Sequence, residues 1–195
     1  MRNMSEGETK VRIAKRVAEM LPDGGFVNLG VGIPTMAVDY LPADKHIYIQ
    51  TENGMLGVGP KQLSGEAIIP NLINASRTPV TETPGCCYFD SATSFAIIRG
   101  RHVDVTVLGA LEVDEKGNLS NWIIPGKMVP GMGGAMDLVS GAKKVIIAML
   151  HTAKGESKIL KECEFKLPFS NEDRLVIEIL KTKKTAEKYP RKIGI

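Results

Sequence analysis

Cysteine is scarce in this chain, and what there is does not pair. Cys86, Cys87 and Cys163 are odd in number and two are adjacent. That fits neither a disulfide framework nor a zinc-ligand spacing, and points to a reducing compartment. Long apolar runs are missing too. No stretch approaches the roughly 18 residues that a membrane helix needs, and the N-terminus carries no apolar signal segment, so the expected location is the cytoplasm. No repeat of 20–50 residues is present, nor any low-complexity segment. Charge of one sign is also absent as a stripe. Lys and Arg total 25 against 22 Asp and Glu, a net +3, and the two signs are mixed along most of the chain. A nucleic-acid binder is therefore not expected. The basic excess gathers at Lys181, Lys183, Lys184, Lys188, Arg191 and Lys192, which reads as a solvated tail.

What is present is ordinary for one globular domain. There are 195 residues, 43% apolar and 24% charged, enough for a sizeable core. Ser5-x-x-Glu8 has the form of a capping box. After it Val11, Ala14, Val17, Ala18 and Leu21 share one helical face, and Pro22-Asp23-Gly24-Gly25 stops that helix. Phe26-Val27-Asn28-Leu29 reads as a short strand running into Gly30-Val31-Gly32-Ile33-Pro34. Glycines there let backbone amides turn towards a ligand, and Pro34 suits the first turn of a helix over 35–41. Strand, glycine loop, helix and strand make a βαβ pattern with parallel pairing. A dinucleotide fingerprint is incomplete, because Thr35 stands where the third glycine belongs.

Further on, 60–88 reads as a long functional loop or a weakly patterned strand pair. Asp90-Ser91 caps a helix through Ile98 that Gly100 ends. Buried strands are expected over 103–108 and 145–150, with a turn at 114–117 and a strand over 118–124. Gly131, Gly133 and Gly134 form a loop opening a short helix, which is either an anion or oxyanion site or a tight packing corner. The segment 174–180 fits strand or helix. His46 and His151 lack Cys or carboxylate partners at ligand spacing, so no metal is expected. His102 reads as a strand-edge residue, Cys86-Cys87 lacks the features of an activated thiol pair, and Trp122 reads as packing or pocket lining.

The remaining stretch organises the others. In Gln50-Thr51-Glu52-Asn53-Gly54-Met55-Leu56-Gly57-Val58-Gly59 a single carboxylate follows the strand-like run Ile47-Tyr48-Ile49. Asn53-Gly54 is a turn signal. Open α/β sheets place their chemistry at such strand ends. The alternative is a strand-end glutamate held by its own turn, and this stretch alone leaves both open.

With both glycine loops and the Glu52 stretch together, the chain resembles the B (beta) subunits of two-subunit 3-oxoacid coenzyme A-transferases. Val27-Asn28-Leu29-Gly30-Val31-Gly32-Ile33-Pro34-Thr35 is similar to that family's opening loop. Thr51-Glu52-Asn53-Gly54 is similar to its Ser-Glu-Asn-Gly active-site motif, with Thr51 keeping the hydroxyl and adding a methyl. Phe89-Asp90-Ser91, Asn121-Trp122-Ile123-Ile124-Pro125-Gly126-Lys127 and Gly131-Met132-Gly133-Gly134-Ala135-Met136-Asp137-Leu138 are similar to further family stretches. The resemblance covers about 10–168. From Phe169 onward the chain departs from the family's continuation, so 1–168 is expected to form the transferase domain and 169–195 an atypical C-terminal segment.

The resemblance implies an α/β fold, an open and mostly parallel sheet flanked by helices, of the CoA-transferase (NagB/RpiA-like) type. It implies that Glu52 is the catalytic nucleophile, moving CoA between an acyl-CoA and a short-chain carboxylic or 3-oxo acid through a glutamyl-CoA thioester with ping-pong kinetics. Gly30, Gly32, Asn53, Gly54, Gly131, Gly133 and Gly134 are candidates for oxyanion or CoA contacts, and Lys127 for a CoA phosphate. CoA is a substrate and no cofactor is permanently bound. An A (alpha) subunit is the implied partner within an oligomer. The rival readings are an acyl-CoA hydrolase using the same glutamate and a non-catalytic ligand-binding α/β module.

Overall fold

A computed structural model of the chain describes residues 5–62, 69–114, 117–123, 126, 129, 131–153, 156–157 and 177–179. The first helix, α1 (Glu6–Met20), starts at the expected capping box. The Ser5 hydroxyl accepts from the Glu8 amide at 3.2 Å, and the Ser5 amide donates to Glu8 Oε2 at 2.7 Å. That second bond also holds the Glu8 carboxyl below the ordinary carboxylate range. Strand β1 (Phe26–Leu29) leads into α2 (Ile33–Met36), with Pro34 in its first turn, and a 3-10 turn at Ala37–Tyr40. The single helix expected over 35–41 is thus two short, differently wound pieces. Strands β2 (Tyr48–Thr51), β3 (Met55–Lys61) and β4 (Val80–Tyr88) follow.

Helix α3 (Ser91–Arg99) begins where Asp90 Oδ1 accepts from the Thr93 amide at 2.7 Å, and ends at Gly100. Strand β5 (Val105–Leu108) is followed by the small hairpin of β6 (Glu112–Val113) and β7 (Leu119–Ser120). The strand expected over 118–124 is only these two residues of β7; Ile124 itself lies outside the described residues. Next come α4 (Ala135–Gly141), β8 (Lys144–Ile147), the β9 (Thr152–Ala153) and β10 (Glu156–Ser157) pair, and β11 (Ile177–Ile179). Within 174–180, then, the described residues are strand.

The main sheet has seven strands in the order β11-β8-β5-β1-β2-β3-β4. Its four central strands, β8, β5, β1 and β2, run parallel. Both edges are antiparallel, β11 on β8 at one side and the β2-β3-β4 meander at the other. Only part of 60–88 is strand: β4, its last nine residues, pairs with β3, which begins earlier at Met55, through two irregularities, one between Leu56 and Val58 and one between Val58 and Lys61, while the described residues between them carry one isolated bridge, Ile73 to Pro79.

Side-chain alternation gives each sheet face its own core. Val27, Leu29, Ile49, Val105, Val107 and Ile146 pack with Val17, Ala18 and Leu21 of α1. Leu108, Val145 and Ile147 pack with Ile98 of α3 and Leu138 of α4. The connection from β1 places β2 on one side of it, and the connection through α3 places β5 on the other. The strand order therefore reverses at the β1/β5 boundary, where open α/β sheets form a crevice beyond the carboxyl ends of their strands.

Candidate active site

Glu52 stands at that end of the sheet, one residue past β2, and is half-buried. Its position is set from three directions. The Gly54 amide donates to the Thr51 carbonyl at 3.0 Å, closing the turn. Gly54 sits at φ +120°, and a Cβ there would lie 2.1 Å from the Phe89 carbonyl oxygen. The Phe89 amide in turn donates to the Gly54 carbonyl at 2.9 Å. Only glycine fits this approach, and it ties the Glu52 turn to the start of α3.

Thr51 supplies the second direction. Its buried hydroxyl accepts from the Ala75 amide at 3.0 Å and donates to Asn53 Oδ1 at 2.6 Å, while Asn53 Nδ2 donates to the Ile73 carbonyl at 2.9 Å. The segment 73–75 is thereby tied to the turn. Asn74 of this segment also lines a cavity of about 250 Å³, with residues such as Leu29, Ile49, Thr51, Val58 and Val80.

The third direction comes from β1. Asn28 is fully buried and in register with Gln50 of β2 and Thr106 of β5. Asn28 Nδ2 lies 2.7 Å from Gln50 Oε1, 3.3 Å from the Gln50 carbonyl and 3.5 Å from Glu52 Oε2. Gln50 Nε2 donates to Ser94 Oγ of α3 at 2.8 Å. Asn28, Gln50 and Ser94 were not among the expected site residues. The signal was a polar residue inside strands that are otherwise apolar, visible at Asn28 and at Gln50.

The glycines divide by what their amides do. Gly30 N donates to the Val107 carbonyl at 2.8 Å, Gly54 N to Thr51 and Gly131 N to the Trp122 carbonyl at 3.2 Å. These three amides donate within the fold. A Cβ on Gly30 would lie 3.1 Å from Leu108 Cδ2 and from the Val107 carbonyl, so this glycine serves close strand packing. Gly32 N makes a long 3.4 Å contact with Ser76 Oγ. Gly133 and Gly134 use their amides in no hydrogen bond among the described residues. Gly134 lies over the Phe95 ring, 3.3 Å from where its Cβ would be. Phe95 follows Ser94, so neighbouring residues of α3 carry the 131–134 loop and the Gln50 contact on the same face of the sheet. Lys127 lies outside the described residues.

Elsewhere, no group of three His, Cys, Asp or Glu stands together as a metal site would need among the described residues. On β4, Tyr88 OH donates to Glu82, which pushes the Tyr88 phenol up to about 12 and holds the Glu82 carboxyl down. Partial burial and a 3.3 Å hydrogen bond to Glu82 push the Cys86 thiol up. That is the opposite of an activated thiol.

A carboxylate at the crevice of a doubly wound sheet, with an amide donor beside it and glycine loops around it, suits acyl-transfer chemistry. The family model described as "Coenzyme A transferase" matches residues 10–193. The chain belongs to the coenzyme A transferase family. It is 57% identical over 161 residues to the beta subunit of the acetate CoA-transferase of Escherichia coli K12, covering 82% of this chain and 73% of that protein. It is 51% identical, over 82% of this chain and 74% of that one, to the B-type subunit of the probable succinyl-CoA:3-ketoacid coenzyme A transferase of Bacillus subtilis. Among solved structures, glutaconate coenzyme A-transferase of Acidaminococcus fermentans matches with a TM-score of 0.54 at 20% identity, over 76% of this chain and 57% of that one. At that identity the likeness speaks to the fold of this transferase, and it agrees with the layered α/β architecture above.

Proposed function

We propose that this transferase chain is the B (beta) subunit of a two-subunit enzyme that moves CoA between an acyl-CoA and a short-chain carboxylic or 3-oxo acid, with Glu52 as nucleophile. The observation that carries the reading is the placement of Glu52. It is half-buried at the carboxyl end of β2, with the Asn28 amide 3.5 Å from one oxygen, in a chain of this family. The relatives named as beta-type or B-type subunits support the alpha partner and the acetate, succinyl and 3-ketoacid substrate classes.

The reaction splits into two halves. A carboxylate is a weak nucleophile, but a thioester carbonyl is activated. Glu52 attacks the acyl carbonyl and CoA leaves as the thiolate, giving an acyl–glutamyl anhydride. The thiolate attacks the Glu52 carbonyl and releases the acyl group as a free carboxylate, leaving Glu52 as its CoA thioester. A second carboxylate attacks that thioester and expels CoA thiolate. The thiolate then takes the new acyl group from the anhydride and restores the Glu52 carboxylate. The group-transfer potential of the thioester is conserved as long as water is kept out.

Each attack builds an oxyanion, which needs preorganised donors. The Gly133 and Gly134 amides and the Asn28 side-chain amide are the candidates from this chain. Val31, Trp122 and Met132 are large apolar residues left exposed on the loops around this end of the sheet, and they offer the alpha subunit a surface that also shields the site. No described helix is long and apolar enough to cross a membrane.

The test uses the two-subunit complex with acetoacetyl-CoA. Quenched samples should carry CoA on the peptide that contains Glu52, seen by mass spectrometry. Glu52→Gln should abolish transfer and the adduct together. Glu52→Asp should lose about 10²-fold or more, because the shorter arm misplaces the oxygen by about 1 Å. Transfer that persists in Glu52→Gln would falsify the nucleophile assignment.

A further inference from the structure

Three polar side chains form a row in a part of the sheet that is otherwise apolar. Gln50, Asn28 and Thr106 are each fully buried and share one level across β2, β1 and β5. The neighbours on the same face are Leu108, Val145 and Ile147. Packing alone would favour an aliphatic residue at each of these places. The row also leaves polar atoms without a protein partner, since Asn28 Oδ1 and Thr106 Oγ1 are buried and unbonded among the described residues. Such groups are costly to keep and mark places where something other than stability sets the residue.

We propose that Gln50 and Ser94 are positioning residues for Glu52, acting through the Asn28 amide; the proposal rests on Glu52 being the nucleophile. An amide NH2 group has two hydrogens. The short 2.7 Å bond from Asn28 Nδ2 to Gln50 Oε1 takes one. The second is left between the Gln50 carbonyl at 3.3 Å and Glu52 Oε2 at 3.5 Å. Gln50 thus supplies two of the three oxygens around the Asn28 nitrogen. Together they turn the NH2 group, and not the amide oxygen, towards the carboxylate. With the amide reversed, Asn28 Oδ1 would face the Glu52 carboxylate and repel it.

Gln50 is itself held, because its Nε2 donates to Ser94 Oγ at 2.8 Å. Ser94 is one turn into α3; Asp90 caps the start of that helix, and the Phe89–Gly54 hydrogen bond just before it fastens the segment to the Glu52 turn. The contacts close a ring. Glu52 and Gly54 lead to Phe89, Ser94, Gln50, Asn28 and back to Glu52. A displacement at any member moves the carboxylate. Neither Gln50 nor Ser94 is within hydrogen-bond reach of the carboxylate, so their influence runs through Asn28.

The test compares variants of the purified two-subunit transferase. Gln50→Met keeps the volume and removes both side-chain hydrogen bonds. It should lower kcat about 10- to 100-fold, with KM for acetoacetyl-CoA changed less than about threefold, because misplacement of a reacting group by a fraction of an ångström acts on the chemical step. Ser94→Ala should lower kcat by a smaller factor in the same pattern. Ser94→Thr, which keeps the hydroxyl, should restore most of it. The double variant should match Gln50→Met alone, since both act along one chain of contacts. Losses that multiply in the double variant, or a Gln50→Met enzyme within threefold of the parent kcat, overturn the proposal. If Gln50→Met fails to assemble, the Ser94→Ala and Ser94→Thr pair decides: no loss in the first, or no recovery in the second, overturns it equally. Glu52→Gln is measured alongside. If that variant stays active, the nucleophile reading itself has failed; if it is dead while Gln50→Met and Ser94→Ala are unimpaired, only the positioning roles have.

Discussion

Gly54→Ala tests whether the geometry that fastens the Glu52 turn to α3 also serves the chemistry. The new Cβ would lie 2.1 Å from the Phe89 carbonyl oxygen, whereas real Cβ atoms essentially never approach closer than 3.0 Å. Something must therefore move by about 1 Å. The obstacle is backbone, so no side-chain rotation relieves it. Either the Phe89–Asp90 segment retreats and takes the start of α3 with it, or the turn carrying Glu52 shifts. Either way the nucleophile leaves its place, and a displacement of about 1 Å costs roughly 10²-fold in rate. The φ of +120° adds strain of about 1–3 kcal/mol for a residue with a side chain. For a domain of this size that lowers Tm by about 2–12 °C. Gly85→Ala is the control. Its φ is +83°, but nothing lies within 4 Å of the added Cβ, and it sits in β4 rather than at the turn. It should show the strain in Tm and leave kcat nearly unchanged. The assay is transfer by the two-subunit enzyme at a temperature where both variants are folded. A Gly54→Ala enzyme with kcat within threefold of the parent would refute the argument, since the turn would then tolerate the shift without misplacing Glu52.

Other perturbations follow from single contacts. Thr51→Val removes a hydroxyl that serves both the Ala75 amide and Asn53; it should cost about 1–3 kcal/mol in urea unfolding and lower kcat, while Thr51→Ser stays close to the parent in both. Asp104 accepts from Lys143 Nζ at 2.6 Å and from the Phe26 amide at 2.9 Å, tying together the ends of β1, β5 and β8, and these bonds, Lys143 first, hold its carboxyl below the ordinary range. Because the folded carboxyl binds its proton less readily than the unfolded one, this stabilisation is present above the unfolded value near about 4 and is lost as pH falls through the lower folded value. Asp104→Asn should therefore reduce Tm at pH 7, by about 1 kcal/mol equivalent for a partly exposed pair, and the gap to the parent should narrow towards pH 3. Asp137 is buried near the start of α4 and takes both Arg99 Nε at 2.9 Å and Arg99 Nη2 at 3.3 Å from α3. Asp137→Ala should loosen the α3–α4 contact that supports the 131–134 loop, seen as faster amide exchange across 131–141.

Much of the frame was legible because local and global preferences agree there. The Ser5 and Asp90 caps and the amphipathic face of α1 each follow a single rule, and the structure obeys it; the buried strands expected over 103–108 and 145–150 are present in shorter form, as Val105–Leu108 and Lys144–Ile147. What was hidden lies where two rules conflict. Strands β3 and β4 contain Gly57, Gly59, Pro60, Pro84 and Gly85, all residues that argue for loop. They pair nonetheless, because Gly57 and Gly59 sit where the chains come too close for a side chain. A Cβ on Gly57 would meet Cys86 Cα at 2.8 Å, and one on Gly59 would meet Thr81 Oγ1 at 2.4 Å. Pro84 is tolerated because β4 is the edge of the sheet. The second conflict is Asn28, Gln50 and Thr106 inside the most apolar part of the sheet. Periodicity reads each of them only as a strand residue, since the signal that matters is their alignment across strands far apart in sequence, and register cannot be read from one strand at a time. Asn28 and Gln50 are in direct contact, and Asn28 reaches Glu52. Gly54, the most constrained glycine, and Thr51, a buried hydroxyl doubly bonded, lie within two residues of Glu52. The departures from local rules therefore gather around one carboxylate, which is the pattern expected when a fold gives up some stability to hold a reacting group in place.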